Sequence, residues 1–308
     1  MELLLQIGLL VIGFTMLVKG ADYFVDGAAG IATKFGIPQL VVGLTIVAMG
    51  TSAPEAAVSI TGALHGAADI SIGNVVGSNI LNILIILGIT GFITTVAVQK
   101  STLMIEMPFM LAITVLLIIL GMSGNELTFV EGVIFWICFI AYLAYLYVLA
   151  KKGIEEEATE DRPVWKLILF IFVGGAVVVW GANISVDAAT TIAQAIGISE
   201  RFIGLTIVAL GTSLPELVAS VTAARKGNAD IAIGNIVGSN IFNILFVLGT
   251  SALITPIPYQ STFLVDGIVA VAAGALLWVA TIRKKELNRT WGIIMLLSYV
   301  AYFIYLLA

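Results

Sequence analysis

The chain has 308 residues, of which 60% are hydrophobic and only 11% are charged, and its mean hydropathy is +1.12. A soluble domain carries about 25% charged residues, so this composition excludes a soluble globular protein and predicts a polytopic membrane protein with the lipid bilayer as its partner. The formal net charge of −5 does not favour a nucleic-acid partner, and the single cysteine excludes an internal disulfide and a cysteine-cluster metal site.

Apolar segments of about 20 residues, the length that crosses the hydrocarbon layer, predict ten membrane-spanning helices and an all-α fold. The first apolar run is longer than a cleaved signal peptide, so we expect it to remain as the first helix. The predicted spans cover residues 3–30, 38–64, 70–95, 102–122, 127–150, 164–190, 199–224, 230–254, 261–282 and 290–307.

Two long motifs occur once in each half of the chain. GLTIVAMGTSAPE, from Gly43 to Glu55, returns as GLTIVALGTSLPE, from Gly204 to Glu216. GNVVGSNILN, which ends at Asn82, returns as GNIVGSNIFN, which ends at Asn243. Both second copies follow the first by the same offset of 161 positions, without a gap. The chain is therefore a duplication.

The duplication divides the chain into a first five-helix repeat at 1–150, a short acidic linker at 151–163 and a second five-helix repeat at 164–308. Because five is an odd number, the second repeat enters the membrane from the side opposite to the first, and the repeats are inverted. The basic residues test this arrangement, since only Arg201 falls on the opposite side and Lys19 lies within a span. All the others share one side of the ten-span topology: Lys34, Lys100, Lys151, Lys152, Arg162, Lys166, Arg225, Lys226, Arg283, Lys284, Lys285 and Arg289. The positive-inside rule predicts a cell-membrane protein with both termini outside and a cytoplasmic linker.

Inverted repeats are typical of secondary transporters, which bind their substrate near the membrane midplane between the two halves. Glu55 and Glu216 each lie near the middle of an apolar span, where an ionised carboxylate costs at least about 2.5 kcal/mol. Apart from Arg201 at the start of the seventh span, far from Glu216, the spans of the repeated core contain no Lys, Arg or His that could pair with them. We therefore expect the two glutamates to meet a transported cation.

The residues around each glutamate offer oxygen atoms. Pro54 and Pro215 lack an N–H and clash with the carbonyl four residues earlier, so each helix should kink and turn carbonyls toward a cavity. Hydroxyl groups lie on the same helical face as each glutamate, at Thr51 and Ser52 before Glu55 and at Thr212 and Ser213 before Glu216. Carboxylates, hydroxyls and carbonyls are ligands of hard cations.

The third and eighth spans each carry a polar stripe at i, i+4 and i+8, formed by Asn74, Ser78 and Asn82 and by Asn235, Ser239 and Asn243. Interhelical hydrogen bonding and cation binding both account for this stripe. We favour packing for Asn74 and Asn235, and cation binding for the four deeper residues.

The doubled GTSxPE and GNxxGSNxxN motifs resemble the alpha repeats of the cation/calcium antiporter superfamily, and in particular prokaryotic sodium/calcium exchangers. The resemblance implies a ten-helix inverted-repeat fold that exchanges Ca²⁺ for Na⁺ by alternating access, as the first and sixth helices slide across a rigid centre. It also implies a set of cation ligands, namely the carboxylates of Glu55 and Glu216, the hydroxyls of Ser52, Ser78, Ser213 and Ser239, the carbonyls of Ala48, Thr51, Ala209 and Thr212, and the amides of Asn82 and Asn243.

Many members of the superfamily have an aspartate where this chain has Asn243. With amides at positions 82 and 243, only two carboxylates remain in the repeated cluster, enough to neutralise one Ca²⁺ or two Na⁺. The exchange stoichiometry and any part played by K⁺ are left open.

Other functions fit the sequence less well. An intramembrane hydrolase would need a general base, but the one histidine, His65, falls in a predicted loop, so we expect no enzymatic activity and no cofactor. A passive cation channel is less compatible with a midplane site in inverted halves. Proton/calcium exchangers of the same superfamily are the main alternative, although they typically show GNxxE where this chain has GTSAPE and GTSLPE. The sequence is compatible with a monomer.

Overall fold

The computed structural model describes residues 2–65, 68–152, 160–197 and 209–307. The α-helices, in chain order, are α1 Glu2–Phe35, α2 Gln39–Val42, α3 Ala48–Thr51, α4 Ala53–Leu64, α5 Asp69–Leu81, α6 Gly88–Ile93, α7 Met107–Gly124, α8 Phe129–Lys152, α9 Val164–Ala195, α10 Ala209–Thr212, α11 Leu214–Arg225, α12 Ala229–Phe242, α13 Gly249–Ile254, α14 Thr262–Ile282 and α15 Arg289–Leu307. Within these described ranges, four π-helical turns lie between them, π1 Gly43–Val47, π2 Asn82–Leu87, π3 Thr102–Glu106 and π4 Asn243–Leu248.

The helices form the predicted membrane spans. Among the residues that the structure describes, eight helical segments are long and apolar enough to cross a membrane, and the bent pair Gln39–Thr51 and Ala53–Leu64 makes up to nine. The seventh predicted span is described from Ala209 onward, so Gly204 and Arg201 lie outside the described residues, as do linker residues 153–159. The all-α polytopic fold of two inverted five-helix repeats is confirmed.

The third and eighth spans occupy the centre of the molecule, where they are the most buried of the spans. The third span comprises α5, π2 and α6, and the eighth comprises α12, π4 and α13. Their apolar side chains, such as Ile80 and Ile241, are fully buried. The second span packs along α12 through α2, π1 and α3, and α11 packs along the other side of α12. The duplicated motifs therefore form the core, and the less buried spans surround it.

The first and sixth spans, α1 and α9, pack closely against each other along their length. Glycines allow the two backbones to approach, because a Cβ atom on Gly20 would lie 2.9 Å from the Gly174 carbonyl oxygen, and one on Gly181 would lie 2.8 Å from the Gly13 carbonyl oxygen. These glycines could have provided faces for sliding across the core. In the structure they instead join α1 to α9, which makes the two helices one packed pair.

Two short antiparallel strand pairs, which the sequence analysis did not predict, tie the loops of one repeat to those of the other. β1 Val96–Ala97 pairs with β4 Glu286–Leu287, and β2 Glu126–Leu127 pairs with β3 Ile257–Pro258. Each pair joins two loops that the inverted ten-span topology puts on the same side of the membrane. The strand pairing is therefore consistent with inversion of the second repeat.

The described end of the linker contacts the end of α1. The Lys34 ammonium donates a hydrogen bond to the Glu160 backbone carbonyl at 2.8 Å. The Arg162 guanidinium donates to the Glu160 carboxylate at 2.7 Å and lowers the pKa of that carboxyl group to about 2, chiefly through side-chain hydrogen bonding. The linker and the end of α1 therefore share one side of the membrane.

Candidate functional site

Both glutamate-bearing helices break at the serine two residues before the proline. α3 ends at Thr51 and α4 begins at Ala53, with Ser52 at φ −82° and ψ 8° between them, and the axis bends by 51°. Ser213 separates α10 from α11 in nearly the same conformation, at φ −89° and ψ 4°. The kink predicted from the prolines is therefore present, because Pro54 cannot donate to the Gly50 carbonyl and the helical ladder is interrupted there.

The two glutamates are held across the interface between the repeats. The Ser52 hydroxyl donates to Glu216 Oε1 at 2.8 Å, and the Ser213 hydroxyl donates to Glu55 Oε1 at 3.4 Å. Each carboxylate is thus held by a serine of the opposite repeat. Glu55 is 1% exposed and Glu216 is fully buried, so neither is solvated by bulk water.

The second oxygen of each carboxylate is not used within the protein. Glu55 Oε2 and Glu216 Oε2 are buried and have no hydrogen-bond partner among the residues that the structure describes. The ion pairs of the described residues involve Lys226 and Arg162, and none reaches either glutamate. Buried carboxylate oxygens in this state require a cation or a proton.

Asn74 and Asn235 brace the glutamate helices. Asn74 Nδ2 donates to the Glu55 carbonyl at 3.1 Å and to Ser59 Oγ at 2.9 Å. In the second repeat, Asn235 Nδ2 makes the corresponding bonds to the Glu216 carbonyl at 3.3 Å and to the hydroxyl of Ser220 at 2.9 Å. These contacts agree with the packing role favoured for the two asparagines.

Asn79 and Asn240, which the sequence analysis did not select, fix the orientation of the central amides. Asn79 Nδ2 donates to the Asn240 carbonyl and Asn240 Nδ2 donates to the Asn79 carbonyl, each at 3.1 Å. A backbone carbonyl only accepts, so each side-chain oxygen must face the other way. Asn79 Oδ1 accepts a hydrogen bond from Asn243 Nδ2 at 3.1 Å, and Asn240 Oδ1 accepts one from Asn82 Nδ2 at 2.9 Å.

The side-chain nitrogens of Asn82 and Asn243 are therefore engaged in hydrogen bonds to the opposite repeat. Asn82 Oδ1 and Asn243 Oδ1 are buried and unpartnered within the described part of the chain. Asn243 begins π4, which packs against α4, and Asn82 begins π2, which packs against α11. Two carboxylate and two amide oxygens thus remain available on helices that pack together. The only sequence signal for Asn79 and Asn240 is their recurrence in both copies of GSN, since they lie off the polar stripe.

The remaining predicted ligands lie on the same segments. Ser78 and Ser239 are buried, and Ser239 Oγ donates to the Ala48 carbonyl at 3.4 Å. The hydroxyls of Thr51 and Thr212 lie beside the carboxylate of the opposite repeat. Ala209 is the first residue of α10. The structure thus brings the twelve predicted positions onto the broken helices and the two central spans, and their roles as ligands stay predictions.

The arrangement provides neutral oxygens and two carboxylates. No group of three or more His, Cys, Asp or Glu side chains that could hold a metal ion occurs among residues 2–65, 68–152, 160–197 and 209–307. Such a site carries a formal charge of −2 when both glutamates are ionised, which limits the cationic charge that it can neutralise. Inverted helical repeats around a buried cluster of hard oxygen ligands define a secondary transporter of cations.

Comparison with known proteins identifies the family. The family described as "Sodium/calcium exchanger protein" matches residues 5–148 and 166–308. The putative antiporter CaxA of Alkalimonas amylolytica is 38% identical over 304 residues, covering 94% of this chain and 95% of that protein. The sodium/calcium exchanger MaX1 of Methanosarcina acetivorans is 33% identical and covers 97% of both.

Solved structures agree with the sequence comparisons. The sodium-calcium exchanger NCX_Mj, soaked with zero Na⁺ and Ca²⁺, superposes with a TM-score of 0.86 at 32% identity and covers 99% of each chain. The chain belongs to the sodium/calcium exchanger family. It is therefore a multi-pass membrane antiporter of cations, in a family of transporters that exchange Ca²⁺ and Na⁺.

Proposed function

We propose that this protein exchanges Ca²⁺ for Na⁺ at a buried site built on Glu55 and Glu216. The observation that carries the proposal is the reciprocal arrangement of the two carboxylates. Each has one oxygen held by a serine of the other repeat and one oxygen without a partner among the described residues. A cation bound between the repeats would contact the unpartnered oxygen of both carboxylates at once.

Charge explains why the two ions would compete. Two carboxylates neutralise one Ca²⁺ or two Na⁺, and the oxygens of Ser52, Ser213, Asn82 and Asn243 add no charge. Since the same carboxylates serve both ions, binding of one excludes the other, which is the requirement for antiport. The names of the relatives MaX1 and NCX_Mj, which describe sodium and calcium exchange, support the same pair of ions.

Alternating access requires part of the protein to move past the site. The glycine-joined pair α1 and α9 is suited to this role, because it packs as a unit and flanks α11 and α3 at the edge of the core. We propose that the pair slides across the core only when bound cations neutralise the glutamates. An ionised, empty site would carry two negative charges through an apolar barrier.

Transport in proteoliposomes tests the exchange. Vesicles that contain the purified protein and are loaded with Na⁺, K⁺ or buffered H⁺ should take up ⁴⁵Ca²⁺ only when loaded with Na⁺. Uptake driven by a proton gradient and indifferent to Na⁺ would replace the proposal with proton/calcium exchange. Uptake into Na⁺-loaded vesicles that requires external K⁺ would indicate a potassium-dependent exchanger, and Ca²⁺ flux without any counter-ion gradient would indicate a passive channel.

We further propose that repeats 1–150 and 164–308 act together as a monomer in the cell membrane, with the linker 151–163 in the cytoplasm and both termini outside. The basic residues grouped on the linker side support this orientation. A cysteine placed in the linker should react only with reagent on the cytoplasmic side, and one placed after Ala308 only with reagent outside. Labelling of both from one side would contradict the topology.

A further inference from the structure

A second cluster of buried oxygens lies between the fourth and fifth spans, outside the proposed exchange site. It borders a cavity of about 150 Å³ between α7 and α8, lined by Ile105, Glu106, Phe109, Ala141, Tyr142 and Tyr145. No residue of the proposed exchange site lines this cavity.

Pro108 accounts for the π-helical backbone that carries this cluster. Pro108 lacks an N–H, so the helix cannot keep its regular hydrogen bonds one turn earlier, and residues Thr102–Glu106 form the wider turn π3. The Trp278 indole N–H donates to the Leu103 carbonyl at 2.8 Å, which satisfies an acceptor that Pro108 cannot serve. The turn carries Glu106 at its end, with the side chain fully buried.

Only one of the two oxygens of the Glu106 carboxylate accepts a hydrogen bond within the described residues. Tyr145 donates its hydroxyl hydrogen to Glu106 Oε1, while Oε2 has no hydrogen-bond partner among the residues described here. Two further buried oxygens, Thr102 Oγ1 and Tyr142 Oη, are likewise unpartnered in the described part of the chain. Thr102 precedes Glu106 by four residues in π3, so the two side chains lie on neighbouring positions of the same helical turn.

The position of Tyr142 is fixed by its neighbours. Its ring stacks on Phe109 at a centroid distance of 5.5 Å and faces Tyr145 at 6.5 Å. Tyr142 and Glu106 line the same cavity. None of the ion pairs among the described residues includes Glu106. A carboxylate, two hydroxyls and no protein cation form a set of hard oxygen donors with a charge of −1.

We propose that Glu106, Thr102 and Tyr142 bind one monovalent alkali cation at a site separate from the exchange site. A single positive charge balances the single carboxylate, whereas a divalent ion would leave an excess charge in an apolar setting. Thr102 begins the turn, so the site lies one turn from the end of the span, which gives an aqueous ion a short route to it. The bound ion would connect π3 to the fifth span through Tyr142.

The second repeat provides a natural comparison. Glu106 corresponds to Asp266, because STLMIE at residues 101–106 returns as STFLVD at residues 261–266. Asp266 accepts a hydrogen bond from the Tyr302 hydroxyl at 2.7 Å and is only partly buried. The two repeats thus place an acid–tyrosine pair between matching helices, and only the first buries the acid beside further unused oxygens.

Binding of ²²Na⁺ to the purified Glu55→Gln/Glu216→Gln variant tests the proposal, because that background lacks the central carboxylates. We expect one bound Na⁺ per chain by equilibrium dialysis in Na⁺-free choline buffer. Adding Glu106→Gln should abolish the binding, Tyr142→Phe should weaken it at least threefold, and Asp266→Asn should leave it unchanged.

The outcome is independent of the proposed exchange, which rests on Ca²⁺ uptake by the unmodified protein. The amide of Glu106→Gln can still accept the Tyr145 hydrogen bond, so this variant should remain monodisperse on size exclusion. Absence of Na⁺ binding in the background variant, or binding that survives Glu106→Gln, would overturn the proposal. Proton uptake by Glu106 with no bound Na⁺ would overturn it as well.

Discussion

The centres of the two repeats match each other down to single hydrogen bonds, whereas their edges do not. Ser52 and Glu216 have their counterpart in Ser213 and Glu55, and the amide pairs repeat in the same way. At the edge, Glu106 is fully buried beside unpartnered hydroxyls, whereas its counterpart Asp266 is only partly buried. The difference shows where the two halves must act as one, since the residues of the shared site are related by the offset of 161 positions and the surrounding spans are free to differ.

The ends of α1 and α9 show the same contrast. The Lys226 ammonium pairs with the carboxylates of Asp22 and Asp26 on α1, at 3.2 and 2.9 Å. The corresponding positions in the inverted arrangement are occupied by His65 and Asp187, the latter matching Asp26. Within the described residues, His65 and Asp187 form no ion pair, so ion pairs join the core to α1 but not to α9.

The sharpest test of the matched centre is removal of each carboxylate in turn. Glu55→Gln and Glu216→Gln should each reduce ⁴⁵Ca²⁺ uptake at least roughly 100-fold, because removing one partner of a buried ionic contact costs about 3 kcal/mol or more. Both variants should still insert and elute as monodisperse protein. Near-parental uptake by either one would contradict the proposed site.

The next test adds charge to one half only. In Asn243→Asp the new carboxyl faces Asn79 Oδ1, an acceptor, so it keeps that hydrogen bond only in its protonated form. At low pH the variant should match the parent. As pH rises, the added charge should recruit a further monovalent cation and change the charge moved per cycle, which couples to voltage at about 2.3 kcal/mol per 100 mV per elementary charge.

The measurement is the reversal potential of exchange in proteoliposomes at imposed voltage, for parent and variant, from about pH 6 to 9, a range that surrounds neutrality. A reversal potential identical to that of the parent throughout would show that Asn243 does not influence stoichiometry.

A smaller effect is expected from the amides that orient the centre. Asn79→Leu and Asn240→Leu leave the nitrogens of Asn243 and Asn82 without an acceptor, and loss of a buried hydrogen bond costs about 1–3 kcal/mol, so the apparent affinity for Ca²⁺ should fall about 10-fold. Because the centre is symmetric, the two variants should lose similar amounts.

Thr90→Val is the matched control, because Thr90 is fully buried and its hydroxyl bonds only to the Ile86 carbonyl, at 2.7 Å. A similar loss of affinity in Thr90→Val would assign the effect to general destabilisation.

The difference between the Lys226 end, which has ion pairs to α1, and the His65 end predicts a weaker effect of mutation, confined to the Lys226 end. Lys226→Gln should release α1 and raise amide hydrogen exchange around residues 22–26 about two- to fivefold, as expected for the loss of partly exposed ion pairs. His65→Gln should leave exchange in α9 unchanged, because His65 holds no ion pair with Asp187 among the described residues. Equal effects of the two variants would show that the ends are functionally alike.

The smallest effect concerns the joint between the repeats. The pKa of Glu160 is lowered to about 2 by Arg162, so the pair stabilises the folded protein above about pH 4.3, the ordinary value for glutamate, and its contribution disappears as pH falls toward 2. Since Arg162 is partly exposed, Arg162→Gln should lower the free energy of unfolding by less than about 1 kcal/mol at pH 7. Thermal unfolding in detergent at pH 7 and below pH 4 measures it, and a difference between parent and variant that grows on acidification would contradict the assignment.

Much of this molecule could be predicted from its sequence because the signals are local or repeated. Span length predicted the ten helices, and the odd number of spans in each repeat predicted the inversion. The proline two residues after each serine predicted the broken helices. Glu55 and Glu216 were identifiable because an isolated acid in an apolar helix needs a partner wherever the helix packs.

Tertiary structure decided the contacts between residues far apart in the chain. Asn79 meets Asn240 off the polar stripe, the glycines of α1 meet α9 rather than the core, and Glu106 meets Tyr145 beside a cavity. Helical periodicity states which residues share a face, but it does not state which neighbour that face meets. The orientation of the central amides therefore followed only from the position of a backbone carbonyl in the other repeat, which can accept a hydrogen bond but cannot donate one.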